Sequence, residues 1–159
     1  VLDWDRATPA AVSDPEHLQS LVIRLSEASH MIHRRTQRAP ANWIITSSEV
    51  AALLDTMQGF ASVDEGHVYQ GGLMKGGVLN KKWVVYVDPL FPQDEILLGY
   101  QGPSILDTGM IYSPYVPMEI TPNFVDPNDF SLRRAIRTRH KITLIRPEFF
   151  AKVKVSNLN

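Results

Sequence analysis

No cysteine occurs in the 159 residues, which excludes disulfides, thiolate metal sites and cysteine nucleophiles together. No run approaches the ~18–20 consecutive apolar residues that a membrane-spanning helix needs. The opening Val1-Leu2-Asp3-Trp4-Asp5 has no basic cluster ahead of an apolar core, so no secretory signal is legible. A start at Val in place of Met suggests a processed chain or a fragment of a longer subunit. Glycine stops early, with all nine glycines lying between Gly59 and Gly109. Lys and Arg are missing from 83–132, where Asp88, Asp94, Glu95, Asp107, Glu119, Asp126 and Asp129 gather a charge of −7. Residues 133–154 then hold eight cations against Glu148 alone, a charge of +7. The net charge of −1 hides this split, and blocks of opposite sign should attract within the fold or between copies of it.

Motifs that carry chemistry are equally scarce. There is no Gly-x-Ser-x-Gly elbow and no His-Glu-x-x-His. His17, His67 and His140 are scattered, and Glu27-x-x-His30, with His33 nearby, is half of a di-iron pattern without its second half. Gly71-Gly72-Leu73-Met74-Lys75-Gly76-Gly77 is glycine-rich but lacks the Gly-Lys-Ser/Thr of a phosphate loop. No metal site or cofactor is implied. The basic run 133–141 has no aromatic platform for nucleic acid, so a salt-bridging partner surface suits it better.

With 44% hydrophobic and 21% charged residues, the chain reads as one globular domain, or two small lobes sharing a core. Residues 1–11 show no periodicity. Ser13-Asp14-Pro15-Glu16 has the parts of a helix start, with Ser13 and Glu16 as a capping box and Pro15 in the first turn. Leu18, Leu21, Val22, Leu25, Ala28 and Ile32 then mark one face of a helix of about six turns. His33-Arg34-Arg35 suits its negative C-terminal pole. Trp43-Ile44-Ile45-Thr46 reads as a buried strand. Thr46-Ser47-Ser48-Glu49 reads as a second capping box, opening a short helix with Val50, Leu53, Leu54 and Met57 on its apolar face. The run 82–88 is a strand apolar on both faces, and 95–100 should return antiparallel to it. Met110-Ile111-Tyr112 is a short strand that Pro114 and Pro117 should end. The run 130–145 places Leu132, Ile136, His140, Ile142 and Leu144 on one side and Arg133, Arg137, Arg139 and Lys141 on the other, a long strand with one basic face. The architecture expected is α+β.

Asp107-Thr108-Gly109 is the strongest catalytic candidate, because a retropepsin-like aspartic protease dimer places two such carboxylates around one shared proton. The order of motifs opposes it. The apolar-apolar-Gly run that braces such a loop lies upstream, at Leu97-Leu98-Gly99, and Met110 follows where a small residue is usual. The alternative is a turn in which Asp107 accepts hydrogen bonds from backbone amides and Gly109 supplies a positive φ.

Read in order, the same residues resemble the major capsid (head) protein of T-even-like tailed phages. The resemblance rests on 77–79, on Trp83-Val84-Val85-Tyr86-Val87-Asp88, and on Gly99-Tyr100-Gln101-Gly102-Pro103. It continues through Asp107-Thr108-Gly109-Met110-Ile111-Tyr112-Ser113-Pro114-Tyr115-Val116 and reaches Arg137-Thr138-Arg139. In the family the corresponding runs read approximately Tyr-(Ile/Val)-Asp, Gly-Tyr-Lys-Gly-Pro and Asp-Ala-Gly followed by Tyr-x-Pro-Tyr. Gln101 and Thr108 are therefore departures, and the family's extended loop and long spine helix are not found.

The resemblance implies an HK97-type capsid fold, present in part, and no enzymatic activity. Residues 1–39 would be an N-terminal segment and helix, 40–120 an axial-domain-like lobe, and 121–159 the return to a peripheral-domain-like sheet. Asp88, Gly99, Tyr100, Gly102, Pro103, Asp107, Gly109, Tyr112, Pro114 and Tyr115 would be structural, and Arg133, Arg137, Arg139 and Lys141 would contact neighbouring subunits. The implied partners are further copies in hexameric capsomers, other capsid, vertex or decoration proteins, and genomic DNA non-specifically, with no membrane. The implied location is the virion shell, assembled in the host cytoplasm. A generic α+β binding module is the remaining alternative.

Overall fold

A computed structural model of the chain describes residues 1–7, 14–62 and 73–157. In chain order the elements are β1 (Leu2–Asp5), α1 (Asp14–Thr36), β2 (Trp43–Thr46), α2 (Ser48–Asp55), β3 (Phe60–Ser62), β4 (Met74–Leu79), β5 (Trp83–Val87) and β6 (Glu95–Gly99). They continue as β7 (Met110–Ile120), β8 (Phe124–Val125), β9 (Leu132–Arg133), β10 (Ile136–Leu144) and β11 (Phe150–Ser156). The chain forms two compact units, Val1–Gly109 with Glu148–Asn159, and Met110–Pro147. These divisions differ from those expected at 39/40 and 120/121. Strand β11 returns to the first unit and pairs with β6, so the excursion begins at Met110 and closes at Pro147.

The first unit is a seven-stranded sheet in the order β1-β11-β6-β2-β5-β4-β3. β2 is parallel to β5 and antiparallel to β6, so β6 does run opposite to β5, but with β2 between them. One sheet face carries Trp4, Ile44, Val85, Ile96, Leu98, Val153 and Val155, all buried. α1 places Leu21, Leu25, Ala28 and Ile32 into the same core, and α2 adds Val50, Leu54 and Met57. Each of these side chains contributes about 1.5–3 kcal/mol by leaving water. The other face is half-exposed at Val84, Tyr86, Ile45 and Leu97, so β5 is fully buried on one face only.

The sequence leads to α1 correctly, although Ser13 lies outside the described residues. The cap of α2 is one residue later than the Thr46–Glu49 box. Ser47 accepts from the Val50 amide at 3.4 Å, while Thr46 is buried in β2. Gly71 and Gly72 lie outside the described residues, and Met74–Leu79 is strand β4. The N-terminal stretch, expected to be irregular, forms β1, which runs parallel to β11 with Leu2 opposite Val153 and Trp4 opposite Val155. Its alternation, Leu-Asp-Trp-Asp, is that of a half-buried strand.

Gly99 sits where β6 meets both neighbours, opposite Trp43 of β2 and Phe150 of β11. A Cβ there would run into the Trp43 indole. Gly99→Ala should therefore cost about 1–3 kcal/mol in urea unfolding, and the penalty should shrink when Trp43 is replaced by Leu.

Candidate assembly surface

The second unit is built differently. β7 and β10 form a two-stranded antiparallel sheet, β8 and β9 a second short one, and none of residues 110–147 is buried. β7 runs eleven residues straight through Pro114 and Pro117, where the sequence suggested an end after Tyr112. The prolines are tolerated because a two-stranded ribbon leaves each strand one unpaired edge. Register shifts between Arg137 and Arg139 and between Arg139 and His140 place the extra residues on β7, in the stretch that holds the prolines. The long strand expected over 130–145 is interrupted. Phe130 has a positive φ of 55°, β9 covers two residues, and β10 starts at Ile136.

Facing residues along the ribbon share a face. Ile136 lies opposite Ile120, His140 opposite Pro114, Ile142 opposite Tyr112 and Leu144 opposite Met110, which makes one face largely apolar, with Thr138 and His140 its polar members. The Tyr112 and His140 rings lie 5.3 Å apart on it. Among the described residues, thirteen of the eighteen large apolar side chains that remain exposed belong to this unit, Tyr115 at 83% and Phe130 at 82% among them. A two-stranded ribbon is marginal on its own, and a surface this apolar marks a place of contact.

The opposite face is the basic one. Arg137 pairs across the strands with Glu119, Nη2 to Oε2 at 2.7 Å. Arg133 reaches Asp126 at 2.9 Å and Asp129 at 3.0 Å, and its Nε donates to Ser131 Oγ. Arg139 and Lys141 have no ion pair among the described residues. The acidic and basic blocks of the sequence thus meet partly inside the chain, in the first unit also through Lys152–Glu95 at 2.6 Å. These are exposed pairs, each contributing about 0–1 kcal/mol.

The remaining motif residues lie on the first unit. Asp88 closes β5, its Oδ1 accepting from the Leu90 amide at 2.9 Å. Tyr100 stacks on Phe149 with ring centroids 5.8 Å apart, and its amide donates to the Phe149 carbonyl. The amide of Gly102 donates to the Asp107 carbonyl at 3.1 Å, which closes the loop that carries exposed Pro103. The Asp107 carboxylate is largely covered, and its charge partner is Arg38, Nε to Oδ1 at 3.5 Å. That pair is not aligned as a hydrogen bond, and Oδ1 has no other donor. Two expectations for this turn therefore change. The Asp107 carboxylate faces a guanidinium and accepts no backbone amide among the described residues, and Gly109 is glycine because a Cβ would strike the Phe150 ring. The glycine at positive φ among the described residues is Gly59. No group of three or more His, Asp or Glu that could hold a metal occurs among the described residues.

The match to known proteins fits this arrangement. Residues 1–157 match the family model described as major capsid protein Gp23. The chain belongs to the Gp23 major capsid protein family. It is 34% identical over 140 residues to the major capsid proteins of Enterobacteria phages T6 and T4, covering 80% of this chain and 26% and 25% of those proteins. It thus spans about a quarter of the length of these curated relatives. Among solved structures it resembles a virus-like particle from Pyrococcus furiosus, with a TM-score of 0.54 and 8% identity over 96% of this chain and 56% of that one. It also resembles a protein of Mycobacterium phage Che8, with a TM-score of 0.52 and 15% identity over 97% of this chain and 53% of that one. The fold is therefore α+β, the HK97-type capsid fold in part. No helix among the described residues is long and apolar enough to cross a membrane.

The sequence singled out the cations of β10 but not the apolar face of the ribbon. The alternation of β10 was visible, whereas Pro114 and Pro117 hid the strand that completes the face. One consequence concerns the β8–β9 turn, where the Ser131 hydroxyl, the Ser131 amide and Arg133 hold the Asp129 carboxyl below its ordinary 3.8. Because the group is lowered on folding, its contribution is complete above the ordinary value and fades as pH falls through the lowered one. Carboxyl NMR titration should place Asp129 below 3.8, and Ser131→Ala should raise it.

Proposed function

We propose that this chain is a structural subunit, or a portion of one, of the shell of a tailed phage, and that it assembles with further copies into hexameric capsomers around the genome. The observation that carries the reading is the ribbon 110–147, which buries none of its own residues in a chain that matches the Gp23 model from 1 to 157. A monomer with this much apolar surface is poorly soluble, and a subunit covers it on assembly. In this reading the seven-stranded unit takes the axial-type role and the ribbon supplies part of the peripheral-type sheet. Catalysis has no place in it, and Asp107, with Arg38, holds the loop 100–109. The shell itself is where the protein would reside.

Negative-stain electron microscopy of the concentrated protein tests the proposal. Rings, sheets or closed shells are the expected result. A monodisperse monomer at every concentration contradicts it.

A further inference from the structure

We infer that the connector between α1 and β2, residues 37–42, positions the loop 100–109, and that Asn42 is its deciding residue. The loop ends at Gly109, the last residue before the ribbon, so the connector sets the point from which the chain leaves the first unit. The consequence for assembly rests on the subunit reading proposed above, whereas the positioning of the loop does not.

The connector is a fixed base because its own backbone is tied down. α1 stops at Thr36, whose hydroxyl donates back to the Ile32 carbonyl at 2.8 Å. Gln37 then takes a left-handed conformation, φ 52°, and its amide donates to the His33 carbonyl at 2.8 Å, a common way for a helix to close. Pro40 fixes one further backbone angle. The Ala41 amide donates to Ser29 Oγ at 3.0 Å, and both residues are buried. That bond accounts for Ser29, a polar side chain buried on α1 among Leu25, Ala28 and Ile32, because a buried amide without an acceptor is costly.

Two side chains reach from this base to the loop, and they act differently. Arg38 meets the Asp107 carboxylate at 3.5 Å without hydrogen-bond alignment, so it attracts the loop without fixing its geometry. Asn42 is directional. Its Nδ2 donates to the Gln101 carbonyl at 2.8 Å, and its Oδ1 accepts from the Gln101 amide at 3.1 Å. One planar amide thus serves both backbone groups of one residue, as a paired strand would. The backbone of Asn42 is itself held between strands, its amide donating to the Gly99 carbonyl at 3.0 Å and its carbonyl accepting from the Val84 amide at 3.1 Å. Asn42 therefore carries the pairing of β5, β2 and β6 past Gly99 and into the loop. From there the Gly102 amide donates to the Asp107 carbonyl and the Asp107 amide to the Ser104 carbonyl, which passes the placement of Gln101 on to Asp107. Both bonds of Asn42 go to the main chain of Gln101, so they place no demand on the side chain at 101.

Amide hydrogen exchange and sedimentation velocity of the whole chain test this together. In Asn42→Ala the amides of Gly102 and Asp107, whose acceptors lie inside the loop, should exchange about tenfold faster, the scale of one or two lost hydrogen bonds. The amides within β2 and β5 should keep their wild-type rates, and Gln101→Lys should leave the loop amides unchanged. Association of Asn42→Ala should weaken about threefold, since only molecules with the loop in place are competent. Unchanged loop exchange in Asn42→Ala would overturn the inference. So would acceleration spread equally over β2 and β5, which is what a merely structural residue would give, or a Gln101→Lys variant as loose as Asn42→Ala. Association that Asn42→Ala leaves untouched while the loop loosens would overturn the part played in assembly. If wild type stays a monomer at every concentration, the subunit reading falls and exchange alone decides the positioning. Asn42→Ser, too short to reach both groups, takes the place of Asn42→Ala if circular dichroism shows that the alanine variant loses structure.

Discussion

The structure depends on a close aromatic junction at the end of β6. Gly99 lets the Trp43 indole lie against the sheet, the Trp43 and Phe150 rings meet edge to face with centroids 6.0 Å apart, and Tyr100 stacks on Phe149. Gly109, the last residue before the ribbon leaves, is held against Phe150, next to the residues by which the chain returns. A 38-residue excursion thus starts and ends at one well-packed place in the first unit. Loop-closure entropy grows only slowly with length, so such an insertion costs little once its ends are fixed.

The contrast between the units follows from this. The first unit has a single apolar cluster beneath two helices, and its charged residues lie on the surface. The second has no interior, and its two faces are sorted by chemistry, apolar along Ile136, His140, Ile142 and Leu144 and basic along Arg137, Arg139 and Lys141. Glu119 already neutralises Arg137, and Asp126 and Asp129 neutralise Arg133. Among the described residues Arg134, Arg139, Lys141 and Arg146 of this unit have no ion pair.

Much of the first unit was legible in the sequence. The i, i+3, i+4 spacing of Leu18 through Ile32 specifies α1, and the run of apolar residues from Trp83 specifies β5. The ordered motifs from Val78 to Val116 point to the family more sharply than any one of them, because their order opposes the protease reading that Asp107-Thr108-Gly109 alone suggests. The rest was hidden for physical reasons. β1 is too short to show a period without its partner β11, which lies about 150 residues away. Pro114 and Pro117 read as breakers because sequence alone does not reveal that β7 has an unpaired edge. The partner of Asp107 was equally invisible, since Arg38 lies 69 residues upstream and only the fold brings it near.

The central claim is that the ribbon is incomplete until another surface covers it. Amide hydrogen exchange at low and high protein concentration tests this most directly. In dilute solution the amides of β7 and β10 should exchange orders of magnitude faster than those of β2, β5 and β6, and concentrating the protein should slow those of β10. Protection of β10 equal to that of β2 in the dilute monomer, unchanged by concentration, would contradict the account.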